Sequence, residues 1–495
     1  MSKSRQNSAL LFGALPYLLT AALVIAAYTV IQWQLHLNEK SIRLLMLAGI
    51  LAYTAVGTFL LLKKRKNWPE VLIAGIIALG MFLRIGYMLY TNVQLRAHDI
   101  SDFHASGHLD YVYQIFSTGT LPATNEVQFY HPPLQHILQA IVVKIYALIR
   151  PDTDLYALFE SAKIVPCTAT CSLLFVFRSI CRELKLGPRA SVIAMAIFAF
   201  QPTFYLLSSS INNDALMLLF YGTAILYTIC WYHKPNMKNI LLLALSVGCG
   251  MMTKISAATV AFLIAPVFLV VLIQHGKRGK AAPLVGQFGA FLGVSVPLGF
   301  WYPVRNWIKF GQPLNYVLTI NLPQLYCGDR SIAERFFSIP VREIWNPLFC
   351  EPFGDYRLWL YTIKCSVFGE YSYDQSHILG KALVLTNLLL MTLSLAAMIY
   401  LLFRGNDVHP LVRLGLVWLW LIQICFFVLF NIRFPYGCTM DFRYIVPTVI
   451  VGAIALSLAL ERIKRKHTTT GNLVFAVGVA AVTAYSVVSM LFYTL

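Results

Sequence analysis

The chain has 495 residues, 58% hydrophobic and only 12% charged, with a mean hydropathy of +0.67. A soluble domain carries about 25% charged residues, so this composition excludes one and marks a polytopic membrane protein. The net charge of +18 does not require a nucleic-acid partner, and none is expected, because bilayer proteins gather Lys and Arg on one side of the membrane.

A membrane span needs about 20 apolar residues. Such runs occur at 10–33, 43–62, 71–90, 162–181, 190–210, 214–232, 284–302, 381–403, 412–430, 444–461 and 473–494. The stretch 239–274 is too long for one span and is interrupted by Lys254, so two helices are expected to meet there. The total is thirteen in an all-α polytopic bundle. The opening "MSKSRQNS" leads into a long apolar run without a small-residue cleavage site, and reads as a retained helix.

Four basic clusters fix the expected orientation: "KKRK" (63–66), "RELK" (182–185), "HGKRGK" (275–280) and "ERIKRKH" (461–467). Thirteen spans with a cytoplasmic N-terminus place all four inside, as the positive-inside rule requires. The segment 132–149 then cannot cross, because counting it would move "RELK" outside. It is expected to be an amphipathic helix at the outer surface, with His136 and Lys144 toward water. On this topology 17 of the 21 acidic residues lie outside. They concentrate in two long extracytoplasmic loops, 91–161 and 303–380.

The first loop opens "HDISDFHASGHLD" (98–110) and continues to "YHPPL" (130–134). Asp99 and Asp102 are i, i+3 neighbours able to share a helix face, where each raises the other's tendency to hold a proton. His98, His104 and His108 lie near these carboxylates. His104 and His108 are spaced to ligate a metal, but solvated histidines are the expected reading. Further on come "SSSINNDALMLLF" (208–220), "TK" (253–254), "WYPVRNWIKFGQPL" (301–314) and "DFRYIVPT" (441–448), each at an outer membrane boundary.

In this order and on this face, these motifs resemble the GT-C superfamily of integral-membrane glycosyltransferases, which includes protein O-mannosyltransferases and lipid A aminoarabinose transferases. The resemblance covers roughly 71–460. It implies a GT-C-like bundle of about 13 transmembrane helices whose two outer loops contain interfacial helices. Residues 1–70 would add two helices, 71–302 form the catalytic core with the first loop, 303–380 the large outer loop, and 381–495 the last spans. The implied activity moves a hexose or pentose from a polyprenyl-phosphate donor to an unknown protein, lipid or glycan acceptor. Transfer would occur at the extracytoplasmic or lumenal face, with inversion.

Asp99 would be the base, with Asp102 as alternative, since the family's Asp-Glu pair is here His98-Asp99. Lys254, Arg305 and Arg443 would hold the leaving phosphate, as arginine offers a bidentate fork and lysine a point charge. His131, Asp214 and Tyr444 would complete substrate binding, with Glu370 a further candidate. No cofactor is certain: oligosaccharyltransferases use a divalent cation and other branches do not.

Cys167, Cys171, Cys181, Cys230, Cys249 and Cys425 read as small apolar residues of spans. Cys327, Cys350, Cys365 and Cys438 lie on the oxidising outer side, with their pairing open. There is no CxxC, P-loop or dinucleotide fingerprint. The rival readings are a flippase or transporter of a lipid-linked glycan, and a non-catalytic subunit that binds one. A transporter would place its charges mid-membrane and show repeated halves; here the charges gather at one face.

The topology predicts that an impermeant thiol reagent applied to intact cells labels single cysteines in 305–380 and spares one at position 185. Labelling of position 185 from outside would reverse the map.

Overall fold

The computed structural model of the chain describes residues 3–63, 67–95, 103, 106–279, 281–374 and 376–495, with side chains from residue 13 onward. Among the described residues it is all-helical, with one isolated antiparallel bridge, Tyr326 to Tyr436. Ten helices are long and apolar enough to cross a membrane, from Gly13–Gln34 to Thr469–Thr494. Two bent pairs raise the number to 12: Pro188–Ala199 with Pro202–Ser209, at 47°, and Gly437–Ile445 with Pro447–Arg465, at 48°. The remaining expected span is the helix Met237–Thr253, whose 17 residues sit at the short end of what a bilayer needs. The first two helices, Gly13–Gln34 and Glu39–Lys63, are only 17% and 6% buried and lie at the periphery.

The four acids assigned to the inner side meet bases at one end of the bundle. Glu70 pairs with Arg178 at 2.8 Å, Glu183 with His233 at 3.4 Å, Glu461 with Arg465 at 3.0 Å, and Asp407 with Arg462. The candidate site residues lie elsewhere, at helix breaks and loop joints.

Those breaks have local causes. Pro202 cannot donate a backbone hydrogen bond, so the helix through Ala199 stops short of it and leaves carbonyls exposed. Arg84, fully buried in Trp68–Tyr90, donates to Ala199 O at 2.9 Å and to Gly80 O at 2.8 Å. Its guanidinium lies over the rings of Phe204 and Tyr205. A fully buried arginine is therefore spent on a broken helix end.

A second device holds the exit of Trp68–Tyr90 into the first loop. Lys163, 1% exposed, donates to Met88 O at 2.8 Å and to Thr91 O, and pairs with Glu160. Glu160 in turn accepts from Val93 N at 2.7 Å. The chain is thus pinned at Val93, six residues before Asp99.

The helix Leu134–Ile149 corrects an expectation. Lys144 is exposed, but His136 is fully buried, together with Gln135 and Gln139. Ile141, Ile145 and Leu148 instead form the outer face, Leu148 at 77% exposure. The helix is amphipathic in the reverse sense, because the bundle offers partners to its polar stripe. Gln135 and Gln139 donate to Ile211 O at 3.2 and 3.1 Å, and Gln135 Oε1 accepts from Leu216 N.

Replacing Lys163 with Met removes the cap on two carbonyls and leaves Glu160 without its cation. Loss of one partner of a buried pair costs about 3–5 kcal/mol, so the thermal midpoint in detergent should fall by several degrees. An unchanged midpoint would show that the pair does not hold this exit.

Candidate active site

Five of the expected residues come together. Asp214 begins the helix Asp214–His233, and its backbone N donates to Asn212 Oδ1 at 3.2 Å. The turn before it is tied across by Asn213 Nδ2, which donates to Thr253 O at 3.0 Å. Lys254 follows directly, in extended conformation between Met237–Thr253 and the short 3₁₀ turn Ile255–Val260. Its Nζ lies 2.5 Å from Asp214 Oδ1. Arg443 Nη1 approaches Asp214 Oδ2 at 3.4 Å, and its Nε lies 3.3 Å from Asp441 Oδ2. Asp441 also accepts from Arg443 N at 2.9 Å, capping the turn Phe442–Ile445. The Tyr444 ring lies beside both cations, 5.2 Å from Lys254 Nζ and 5.0 Å from the Arg443 guanidinium.

All four charged groups are at least nine-tenths buried, Asp214 at 1% exposure. Two carboxylates and two cations make the set neutral, which is how such burial becomes tolerable.

His131 joins from the first loop. Its ring stacks on His108 at 5.5 Å, and His108 stacks on His136 at 5.2 Å with an Nδ1 to Nε2 distance of 2.9 Å. Tyr111 covers His136 at 4.2 Å. Burial holds both His108 and His131 neutral, well below the ordinary imidazole range. His136 and His131 add to this for His108, and Lys254 does so first for His131. Burial also pushes His136 down to about 3. His108 is thus buried and not solvated as expected: Gly107 starts its helix, turning the ring under the loop against His136.

Arg305 is engaged elsewhere. It donates to Pro122 O at 2.6 Å and Asn306 Oδ1 at 2.8 Å, and lies over the Tyr302 ring. Tyr302 donates to Phe129 O and accepts from Tyr111, both at 2.7 Å. Asn306 donates to Tyr130 O at 3.3 Å. The end of Ala282–Phe310 therefore clamps the "YHPPL" segment from its loop side.

Glu370 accepts from Tyr361 at 2.6 Å and lines an open cavity of about 960 Å³ with Trp345, Phe349, Glu351, His377 and Lys381. Beside it, Tyr371 shares a cavity of about 20 Å³ with Ser210, Cys365, Asp441 and Arg443. Asp99, Asp102, His98 and His104 lie outside the described residues. Among the described residues no group of three or more His, Cys, Asp or Glu side chains is placed to hold a metal ion.

Asp441, His108 and His136 were not singled out as site residues. Asp441 carried one legible signal, its place two residues before Arg443, from which a carboxylate reaches back to a backbone N–H.

Residues 131–301 match the family of dolichyl-phosphate-mannose-protein mannosyltransferases. The chain resembles the GT-C superfamily of membrane glycosyltransferases. The matched segment contains His131, Asp214 and Lys254 and stops short of Arg305 and Arg443. No curated protein matches the sequence. Among solved structures, the archaeal oligosaccharyltransferase AglB from Archaeoglobus fulgidus, in complex with an inhibitory peptide and a dolichol-phosphate, is similar at 13% identity and a TM-score of 0.49. The alignment covers 87% of this chain and 56% of AglB, so the chain spans about half that protein's length. ArnT from Cupriavidus metallidurans bound to undecaprenyl phosphate is similar at 12% identity and a TM-score of 0.36, covering 81% of this chain and 78% of ArnT.

The buried histidines set a pH dependence. Their folded pKa values lie below the unfolded value of about 6.5, so the unfolded chain binds more protons in the acidic range. Stability is then complete above about pH 6.5 and falls as pH drops toward the folded values, by up to about 1.4 kcal/mol per pH unit for each histidine. Thermal midpoints taken from pH 7.5 to 5 should decline, and His108→Asn should flatten the decline. An equal slope in both proteins would contradict the assignment.

Proposed function

We propose that the protein transfers a sugar from a polyprenyl-phosphate donor to an acceptor at the extracytoplasmic face, with inversion. The observation that carries this reading is the meeting of Lys254 and Arg443 on Asp214, beside His131, at the joints of three helices. A lipid phosphate arriving there would exchange part of the Asp214 contact for its own charge-assisted bonds. Arg443 would supply the forked donor and Lys254 the point charge. The donor's tail would remain in the bilayer beside these helix ends.

The leaving phosphate needs no proton once both cations neutralise it. The acceptor does need a base. Asp99 fills that role in this reading, with Asp102 the alternative, in the segment that follows the pinned Val93. The base would take the acceptor's proton as the nucleophile attacks the anomeric carbon opposite the phosphate. A single displacement inverts that carbon and forms no covalent sugar–enzyme intermediate. Arg305, with Tyr302 and Asn306, would position the first loop; His131, held neutral, would orient the donor without adding charge. The cavity ending at Glu370 is of a size for a small-molecule or glycan ligand and would receive the acceptor.

Two measurements test the reading. Arg443→Ala should weaken polyprenyl-phosphate binding by about 1.5–3 kcal/mol, with Lys only partly restoring it, while the protein still folds; unchanged affinity would remove Arg443 from the site. Asp99→Asn should lower turnover by about 10²–10⁴-fold, the usual contribution of a general base. A large loss in Asp102→Asn with near-normal Asp99→Asn would transfer the role, and normal turnover in both would refute the mechanism.

A further inference from the structure

Of the four cysteines expected on the outer side, two meet. Cys350 Sγ and Cys365 Sγ are 3.2 Å apart, both buried. Cys365 lies on the helix Leu358–Phe368, and Cys350 on the irregular segment that precedes it. The two face different spaces. Cys350 lines the open cavity of about 960 Å³, while Cys365 lines the small cavity that also touches Asp441 and Arg443. The pair is part of the wall between them.

Other contacts tie the same wall. Cys350 also touches Tyr361 O at 3.6 Å, Lys364 donates to Pro347 O at 2.8 Å, and Arg357 pairs with Glu343. Between the cysteines the chain runs through "EPFGDYR", one turn and an irregular stretch before the helix begins. A bonded pair has its sulfurs about 2.05 Å apart, so roughly 1 Å of movement closes the contact.

We propose that Cys350 and Cys365 form a disulfide that fixes the wall between the outer cavity and the Asp441–Arg443 cluster. The proposal rests on the extracytoplasmic placement of 303–380, where disulfides persist. The two thiols lose two protons and two electrons. One thiolate attacks the disulfide of a thiol–disulfide oxidoreductase, and the other displaces it from the mixed disulfide, so the oxidoreductase leaves as a dithiol. Burial raises both thiols above their ordinary range, which makes the folded pair inert. The bond therefore forms while 350–365 is still open, during folding. In function it would hold Glu370 and Tyr371 at a fixed distance from Arg443.

The test is peptide mapping of the full-length protein, denatured in iodoacetamide without reductant. A linked peptide containing Cys350 and Cys365 is expected, resolved by dithiothreitol. Cys350→Ala should make Cys365 alkylatable, and Cys350→Ala and Cys365→Ala should each lower the thermal midpoint by several degrees. Alkylation of both cysteines in the unreduced wild type would overturn the proposal. Normal glycosyl transfer by wild type with both thiols free would overturn the disulfide alone and leave the functional reading standing.

Discussion

Asp214 is one carboxylate shared by two cations from different parts of the chain, and the rest of the site is arranged around it. Lys254 reaches it from the break after Met237–Thr253, and Arg443 from the bent pair near the C-terminus. Removing that carboxylate would leave two buried cations facing each other, a cost of about 3–5 kcal/mol where one partner of a buried pair is lost. Asp441 takes the second side of Arg443, so its guanidinium is oriented before any ligand arrives. A neutral cluster of this kind is stable when empty, and an anion that competes with Asp214 finds both cations already aimed.

The residues of the cluster and His131 sit where regular helix stops. Asp214 is at a helix start, Lys254 at a break, Arg443 in a 3₁₀ turn before Pro447, and His131 in an extended segment before two prolines. Helix ends expose backbone groups that need partners, and the chain meets this need with polar side chains that would otherwise be costly beside hydrocarbon. Gln135, Gln139 and Asn213 bind carbonyls at 211 and 253; Arg84 and Lys163 do the same for carbonyls at 199 and 88. The polar groups that close these ends are thus the ones that position the cluster.

Much of this was legible because membrane burial writes a coarse signal. Twenty apolar residues announce a span, and an isolated lysine at 254 announces a break. The four acids that the topology assigns inside, Glu70, Glu183, Asp407 and Glu461, each meet a base. The orientation of Leu134–Ile149 was not legible, because a helical stripe of Gln and His fits water and a polar interior equally well. His108 is hidden for the same reason: five histidines in a short stretch suggest a wet loop, whereas His108 and His136 are buried and a half-buried His131 stacks on His108. Arg305 shares its type and boundary position with Arg443, and only the contacts to Pro122 and Asn306 separate a loop clamp from a cluster member. Asp441 was passed over because a residue that caps its neighbour's backbone looks like ordinary punctuation.

The most direct test of the account is an experimental structure with a polyprenyl phosphate bound. The account predicts phosphate oxygens within about 3 Å of both Lys254 Nζ and the Arg443 guanidinium, the distance of charge-assisted hydrogen bonds. The face of the phosphorus that carries the sugar would be turned toward the segment bearing Asp99. A phosphate bound at the opposite end of the bundle, beside the Glu70–Arg178 and Glu183–His233 pairs, with the Asp214 contacts intact, would contradict it.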